Sequence, residues 1–136
     1  LTLGAFEISL WEVAQGFTSI APFGKGDEIH TLLRVESTQG DVLYEREPQA
    51  GIELDEKSAA VLTGIMQTTF EIGTARAARA WGLIGAYAGK TGTTSDTKDA
   101  WFIGYDARTL TGVWIGYDDN TTMGLTGASA ALPVWT

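Results

Sequence analysis

The chain has no cysteine, a single histidine and only three prolines among its 136 residues. Without cysteine it can form no disulfide, no thiolate nucleophile and no cysteine-based metal site. One histidine is too few for an ordinary zinc site, so we expect no metal, and no motif in the chain indicates a cofactor. That histidine, His30, lies in a polar connector over residues 26–31, which predicts a surface residue rather than a member of a catalytic triad.

Positive charge is also scarce. Nine lysines and arginines stand against 17 acidic residues, which gives a formal net charge of −8. Nucleic acids are bound by clustered lysine and arginine, so we expect no nucleic-acid partner. An anionic substrate would have to be held by a local cation.

Long apolar runs are absent as well, because no stretch approaches the ~20 residues that a membrane span needs. A hydrophobic fraction of 44% with 19% charged residues is typical of a globular domain, and the length allows one domain or part of one. The sequence opens on Leu1 without a leader, and we expect it to be part of a longer chain, in which any targeting signal would lie elsewhere.

Two capped amphipathic helices are predicted. The first follows Ser9-Leu-Trp-Glu12, a capping box, and runs from about residue 10 to 20. The second follows Asp55 as its N-cap and runs from about residue 56 to 70. Apolar residues at three- and four-residue steps give each helix one face that we predict to be buried. These faces consist of Leu10, Val13, Ala14 and Phe17 in the first helix, and of Leu62, Ile65, Met66 and Thr69 in the second.

The remaining periodic segments predict strands. Residues 32–45 read as two short strands around a turn at Gln39-Gly40-Asp41. Residues 87–94, 100–105 and 110–117 are rich in aromatic and β-branched residues and predict three sequential antiparallel strands. The pattern therefore indicates a helix, a hairpin, a second helix and a three-stranded meander.

Alternation along the middle strand of this meander predicts that both faces of the sheet are covered. One face carries Trp101, Ile103 and Tyr105, and the other carries Phe102. The alanine-rich tail after Gly127 predicts the start of another helix. The fold class is therefore α+β, with an antiparallel sheet flanked by helices.

One lysine, Lys90, occupies an unusual position in the first strand of the meander, with Gly89 before it and Gly92 shortly after. Glycine weakens a strand, so we expect a compensating role, such as close approach of another backbone or a ligand. The hydroxyl donors beside the lysine are Thr91, Thr93 and Thr94. An extended peptide could pair with this strand, and its terminal carboxylate would meet the ammonium and the hydroxyls. The nearby Arg76 and Arg79 are predicted to be solvated cations, with a role in binding substrate as the alternative.

Lys90-Thr91-Gly92 is the K-T-G motif of the penicillin-recognising serine acyl-transferases, which include penicillin-binding proteins and class A β-lactamases. The chain further resembles the C-terminal half of the transpeptidase domain of bifunctional class A penicillin-binding proteins, in the runs GKTGTTSDTKDAWFIGYD, TGVWIGYDDN and TGASAALPVW. The segments that precede K-T-G in that family resemble LTLGAFEISLWEVAQGFTSIA, GDVLYE and MQTTFEIGTARAAR. We therefore expect residues 1–136 to be the C-terminal portion of one penicillin-binding transpeptidase domain, with the fold shared by penicillin-binding proteins and serine β-lactamases.

The resemblance implies a peptidoglycan D,D-transpeptidase. In that family a serine attacks the carbonyl between the last two D-alanines of a stem peptide, and an amine of a neighbouring stem then takes the acyl group. β-Lactams imitate the D-Ala-D-Ala end and acylate the same serine. Carried over to this chain, Lys90 and Thr93 are the catalytic residues, the lysine acting in proton transfer and the Thr93 N–H as one oxyanion donor. The same two residues, with Thr91, Gly92 and Thr94, bind the substrate, and the hydroxyls of Thr91 and Thr93 donate to its carboxylate.

The nucleophile of that family lies in an S-x-x-K motif at the start of a helix, and a facing loop carries S-x-N. The chain contains no S-x-N, and its one S-x-x-K is Ser95-Asp-Thr-Lys98. Asp96 and Asp99 flank this match, which indicates a solvated turn between strands rather than a buried helix start. We therefore expect that the chain holds no nucleophile and that the catalytic serine precedes Leu1 or lies on a separate segment.

The resemblance also implies partners and a location. The partners are a stem peptide ending in D-Ala-D-Ala, β-lactams, and the N-terminal half of the same domain. The location is the periplasmic or extracellular face of the bacterial cytoplasmic membrane, with the anchor outside this chain. Two alternatives stay open: a β-lactamase or carboxypeptidase relative, and a non-catalytic penicillin-sensor or wall-binding module.

Overall fold

The computed structural model describes residues 6–21, 26 and 28–136. Its elements in chain order are α1 (Leu10–Thr18), β1 (Arg34–Glu36), β2 (Val42–Glu45), α2 (Glu56–Glu71), α3 (Ala77–Ala80), β3 (Ala88–Thr93), β4 (Asp99–Tyr105), β5 (Leu110–Gly116), a π-helix (Gly127–Ala131) and α4 (Leu132–Trp135). This order of helices and strands confirms the α+β prediction. Within the described ranges, no helix has both the length and the apolar character needed to cross a bilayer.

The three strands β3, β4 and β5 form an antiparallel sheet in that order, so β3 is an edge strand. The register pairs Gly92 with Trp101, and directly opposed residues share a face of the sheet. Lys90 therefore lies on the same face as Trp101, whereas Thr91 and Thr93 lie on the opposite face. We call these the lysine face and the threonine face.

Helices α1 and α2 cover part of the lysine face. Tyr105 and Ala88 form a buried cluster there with Ala21, against the half-buried Phe17 of α1 and Met66 of α2. The phenol oxygen of Tyr105 lies 2.8 Å from the hydroxyl oxygen of Thr63. Burial raises the pKa of this phenol above its ordinary value, and the hydrogen bond to Thr63 partly offsets the rise. The cluster anchors α2 against the beginning of β3.

The larger core lies on the threonine face. The Phe102 ring is 5.8 Å from that of Phe70 at the end of α2, and 5.0 Å from that of Trp135 in α4. Phe70, Phe102 and Leu132 are fully buried, and each such side chain contributes about 1.5–3 kcal/mol by leaving water. Both faces of the sheet are therefore covered, and the predicted C-terminal helix is confirmed. It begins with a π-helix that continues into α4.

The hydrogen bonds predicted at the starts of α1 and α2 are present. The Glu12 carboxylate accepts from the Ser9 N–H at 2.9 Å, and the Ser9 hydroxyl accepts from the Glu12 N–H at 3.2 Å. These hydrogen bonds lower the pKa of Glu12. The Asp55 carboxylate likewise accepts from the Ser58 N–H at 3.0 Å. The β1–β2 hairpin forms as predicted, with Gly40 at φ +92° in its turn.

The predicted apolar face of α2 is only partly in the core: Met66 packs against the Tyr105 cluster and Thr69 is half-buried, but the other two predicted residues are exposed. Only Ala59 and Phe70 of α2 are buried, whereas Leu62 is 38% exposed and Ile65 60%. Val61 beside them is 62% exposed. Periodicity indicates which side of a helix is apolar, but no described residue covers this side. We call Val61, Leu62 and Ile65 the open face of α2.

Candidate functional site

The outer edge of β3 presents backbone groups that no strand in the described ranges pairs with. The N–H of Thr94 donates to the carbonyl of Asp99 at 3.1 Å. Hydrogen-bonded and non-hydrogen-bonded pairs alternate along an antiparallel ladder, so the N–H and C=O groups of Thr93 and Thr91 point away from β4. No strand among the described residues pairs with this side of β3. In the described part of the chain this edge therefore has no pairing strand, and no group there accepts from the Thr93 N–H.

Lys90 is exposed near this open edge. Its Nζ donates to the carbonyl oxygen of Thr91 at 2.7 Å. None of the ion pairs formed within the described ranges includes Lys90. An ammonium carries three donors, so two remain after the contact with Thr91. In a chain of net charge −8, this unpaired cation is suited to bind an external anion.

The hydroxyl of Thr93 is held by the start of the π-helix. It accepts a hydrogen bond from the N–H of Gly127 at 3.0 Å, which leaves its own hydrogen available to donate. Gly127 allows this approach because a Cβ there would lie 2.5 Å from the carbonyl oxygen of Gly92 and still closer to that of Trp101. The π-helix therefore packs directly on the backbone of the K-T-G strand.

The hydroxyl of Thr91 lies 2.8 Å from that of Thr74, which precedes α3. Neither Thr74 nor Gly127 was predicted as part of the site. Both lie in segments that resemble the family, MQTTFEIGTARAAR and TGASAALPVW, but a contact across 17 or 34 residues leaves no periodic signal in the sequence.

The other predicted site residues occupy the same strand and its turn. Gly92 lies on the lysine face beside Trp101. The hydroxyl of Thr94 accepts from the N–H groups of Lys98 and Asp99 at 3.1 and 2.8 Å. The Thr94 side chain therefore closes the β3–β4 turn, and its role in binding stays a prediction.

Of the two alternatives predicted for Gly89, close approach of another backbone or of a ligand, the structure shows the first. Gly89 is buried, and a Cβ there would lie 2.8 Å from the Ile103 carbonyl oxygen and 2.9 Å from Cζ of Phe102. The close approach at this glycine is made by the protein's own sheet and core.

Arg79 is bound rather than solvated, contrary to prediction. Its guanidinium pairs with Glu71 at 2.7 Å and donates to the carbonyls of Leu83 and Gly85 at 3.1 and 2.8 Å. It also lies 5.7 Å from the centre of the Phe70 ring. Arg79 therefore fastens the α3–β3 connection to α2. Potential metal-ligating side chains form no group of three or more in the part of the chain that the structure describes.

The S-x-x-K match lies in the β3–β4 turn, as predicted. Ser95 is exposed, and the N–H of Thr97, which has φ +50°, donates to the Thr94 carbonyl at 3.0 Å. Ser95 is thus not at the start of a helix, where a serine nucleophile could be activated by a lysine one turn away.

Replacing Ser95 with alanine in the complete protein should leave covalent labelling by fluorescent penicillin within about twofold of the unchanged rate, because surface substitutions of this kind cost little. In-gel fluorescence after a fixed labelling time measures this. Loss of the label in Ser95→Ala would show that the turn carries the nucleophile after all.

The overall architecture matches solved transpeptidase structures. Penicillin-binding protein 1A from Haemophilus influenzae superimposes with a TM-score of 0.82 at 21% identity, covering 98% of this chain and 26% of that one. The D,D-transpeptidase domain of a peptidoglycan glycosyltransferase from Eggerthella lenta gives a TM-score of 0.73 at 23% identity, covering 92% of this chain and 30% of that one. The fold is that of penicillin-binding transpeptidase domains.

The chain is also similar in sequence to curated penicillin-binding proteins. Penicillin-binding protein 1B of Vibrio cholerae is 39% identical, and penicillin-binding protein 1A of Neisseria flavescens is 35% identical, each across 99% of this chain. These matches confirm the resemblance to class A penicillin-binding proteins stated above over nearly the whole of this chain. It spans 17% and 18% of the length of these two relatives. A comparison with models of protein families gave no match.

Proposed function

We propose that the chain is the C-terminal portion of a peptidoglycan D,D-transpeptidase domain that works through a serine acyl-enzyme and is inhibited by β-lactams. The observation that carries this proposal is the Lys90 ammonium, which has no carboxylate partner among the described residues and lies against the Thr91 carbonyl at the edge of the strand that also carries the Thr91 and Thr93 hydroxyls. The chain supplies the K-T-G strand and the oxyanion edge. The nucleophile and the S-x-N loop come from sequence outside this chain.

The edge suits a stem peptide ending in a carboxylate. An extended peptide pairs with the outward N–H and C=O groups of β3, which fixes its direction along the strand. The carboxylate then meets Lys90 and the hydroxyl hydrogens of Thr91 and Thr93, and charge-assisted hydrogen bonds of this type are stronger than neutral ones.

The Thr93 N–H is the oxyanion donor that this chain supplies. It points away from β4 at the outer edge of the sheet, where we place the scissile carbonyl, and the N–H of the serine would supply the second donor. Loss of one such donor typically slows acyl transfer by about 10²-fold to 10³-fold. The backbone geometry of β3 therefore matters as much as its side chains.

The relatives support the same reaction class. The Eggerthella lenta protein is described as a D,D-transpeptidase domain, and the sequence relatives are described as penicillin-binding proteins. On this basis we also propose a location at the outer face of the bacterial cytoplasmic membrane. Stem peptides ending in D-Ala-D-Ala and β-lactams are the proposed ligands.

The N-terminal half of the same domain is the proposed macromolecular partner. The open face of α2 presents three large apolar side chains to solvent, and exposed apolar patches mark surfaces that pack against something else. The unpaired edge of β3 is a second incomplete surface.

The isolated 136-residue chain should therefore be poorly soluble or partly unfolded. Its thermal melt, followed by circular dichroism, should be broad, and it should bind a hydrophobic dye at room temperature. A single cooperative melt without dye binding would contradict the idea that the chain is only part of a folding unit.

Covalent labelling of the complete protein tests the proposed reaction. Fluorescent penicillin should label it on one serine, and that serine should lie in an S-x-x-K motif outside this chain. Transfer of the acyl group to an added amine supports a transpeptidase, whereas rapid release to water favours a carboxypeptidase or β-lactamase relative. A folded complete protein that takes no label would favour a non-catalytic wall-binding module.

A further inference from the structure

We infer that Thr74 is a positioning residue, which orients the Thr91 hydroxyl toward the carboxylate of the bound peptide or β-lactam. The inference rests on the proposed function, since it takes Thr91 as a carboxylate ligand. The observation behind it is the 2.8 Å distance between the two hydroxyl oxygens. Thr74 itself need not touch the substrate.

Because each hydroxyl has a single hydrogen, the direction of the Thr74–Thr91 hydrogen bond decides whether Thr91 can also donate to an anion. A threonine hydroxyl has one hydrogen to donate and two lone pairs to accept. If Thr91 donates to Thr74, its hydrogen is used and none remains for an anion. If Thr74 donates to Thr91, the Thr91 hydrogen stays free. A carboxylate only accepts, so its binding selects the order in which Thr74 donates to Thr91 and Thr91 donates to the carboxylate.

The backbone around Thr74 is well fixed, which a positioning role requires. The N–H of Gly73 donates to the Thr68 carbonyl at 3.1 Å, and the N–H of Ala75 donates to the Thr69 carbonyl at 3.0 Å. Ala75 is fully buried in the core on the threonine face. The residues on both sides of Thr74 are thus tied to the end of α2, and the core, rather than a mobile surface loop, sets the position of its hydroxyl.

The same arrangement occurs at the second hydroxyl of the motif. Thr93 accepts from the N–H of Gly127 at 3.0 Å, and its hydrogen is likewise left to donate. Each of the two hydroxyls is therefore contacted by a group from a different element that is able to donate: Thr91 by the Thr74 hydroxyl in the turn after α2, and Thr93 by the Gly127 N–H of the π-helix. This parallel supports a shared function for the two contacts.

Replacing Thr74 with valine in the complete protein tests the inference, because valine keeps the shape and removes the hydroxyl. Thr74→Val should slow the second-order rate of acylation by fluorescent penicillin by about 2-fold to 10-fold, which is the expected effect of losing one neutral hydrogen bond of ordinary strength. Thr74→Ser restores the hydroxyl and should recover most of the rate. Thermal melts of both variants should match that of the unchanged protein, since Thr74 is exposed.

A double-mutant cycle with Thr91→Val separates positioning from a purely structural effect. If Thr74 acts through the Thr91 hydroxyl, Thr74→Val should cause no further loss in the Thr91→Val background. An unchanged rate in Thr74→Val, or an equal loss in both backgrounds, would overturn the inference while leaving the proposed function in place. Absence of label on the unchanged protein would overturn the proposed function and this inference together.

Discussion

Lys90→Ala in the complete protein should slow acylation by penicillin by about 10-fold to 100-fold. The ammonium is exposed beside the open edge of β3 and has no carboxylate partner among the described residues. Hydrogen bonds to charged groups contribute about 1.5–3 kcal/mol, and each 1.4 kcal/mol is about tenfold in rate. Because the lysine side chain is exposed, its loss should not lower the melting temperature. Stopped-flow or gel-based measurement of the second-order labelling rate measures the effect.

Lys98→Ala is the matched control. Lys98 carries the same charge eight residues further on, in the β3–β4 turn, where its backbone N–H rather than its side chain is engaged with Thr94. Removing the Lys98 ammonium should change the labelling rate by less than about twofold. Equal losses from the two substitutions would mean that general surface charge, and not the site on β3, attracts the drug. In that contradicting case, raising the salt concentration should slow the labelling of the unchanged protein strongly, because screening weakens a general surface attraction.

Gly127→Ala should impair both stability and acylation. A Cβ at this position meets the carbonyl oxygens of Gly92 and Trp101, which are backbone atoms and cannot rotate away. Overpacking of this kind costs about 1–3 kcal/mol. The π-helix would have to move off the K-T-G strand, which would also weaken the hydrogen bond from the Gly127 N–H to the Thr93 hydroxyl. A displacement of about 1 Å in a reacting group can cost about 10²-fold in rate.

Gly16→Ala provides the comparison, since it adds the same methyl group in α1, where a Cβ meets no heavy atom within 4 Å. This change should be neutral or stabilising by up to about 1 kcal/mol, because alanine is the better helix former. Denaturant unfolding gives the stability and penicillin labelling gives the rate for both variants. A Gly127→Ala protein with unchanged stability and labelling would contradict the close packing of the π-helix on β3.

Local signals accounted for most of the fold. The Ser9 and Glu12 side chains determine where α1 begins through contacts three residues apart, so a short sequence window contains all the information. The alternation around Trp101 and Phe102 predicted both faces of β4 for a similar reason. Helix α1 ends at Thr18, two residues before its predicted end, and helix ends are set by contacts that periodicity does not report.

Contacts between distant segments could not be predicted in this way. The apolar face of α2 was recognised, but its periodicity does not report that Leu62 and Ile65 are exposed among the described residues. Arg79 was predicted to be a surface cation because the sequence does not show that Glu71 and the Gly85 carbonyl lie close to its guanidinium in the fold. In the candidate site, K-T-G was predicted from its residues, whereas Thr74 was found only through its contact with Thr91.

The most direct test is a crystal structure of the complete protein acylated by a penicillin. The proposed site requires the drug's carboxylate within hydrogen-bonding distance, about 2.7–3.2 Å, of the Thr91 and Thr93 hydroxyls and close to Lys90. The acyl carbonyl oxygen should accept from the Thr93 N–H. A carboxylate bound away from β3, with this edge paired to another strand of the protein, would contradict the account.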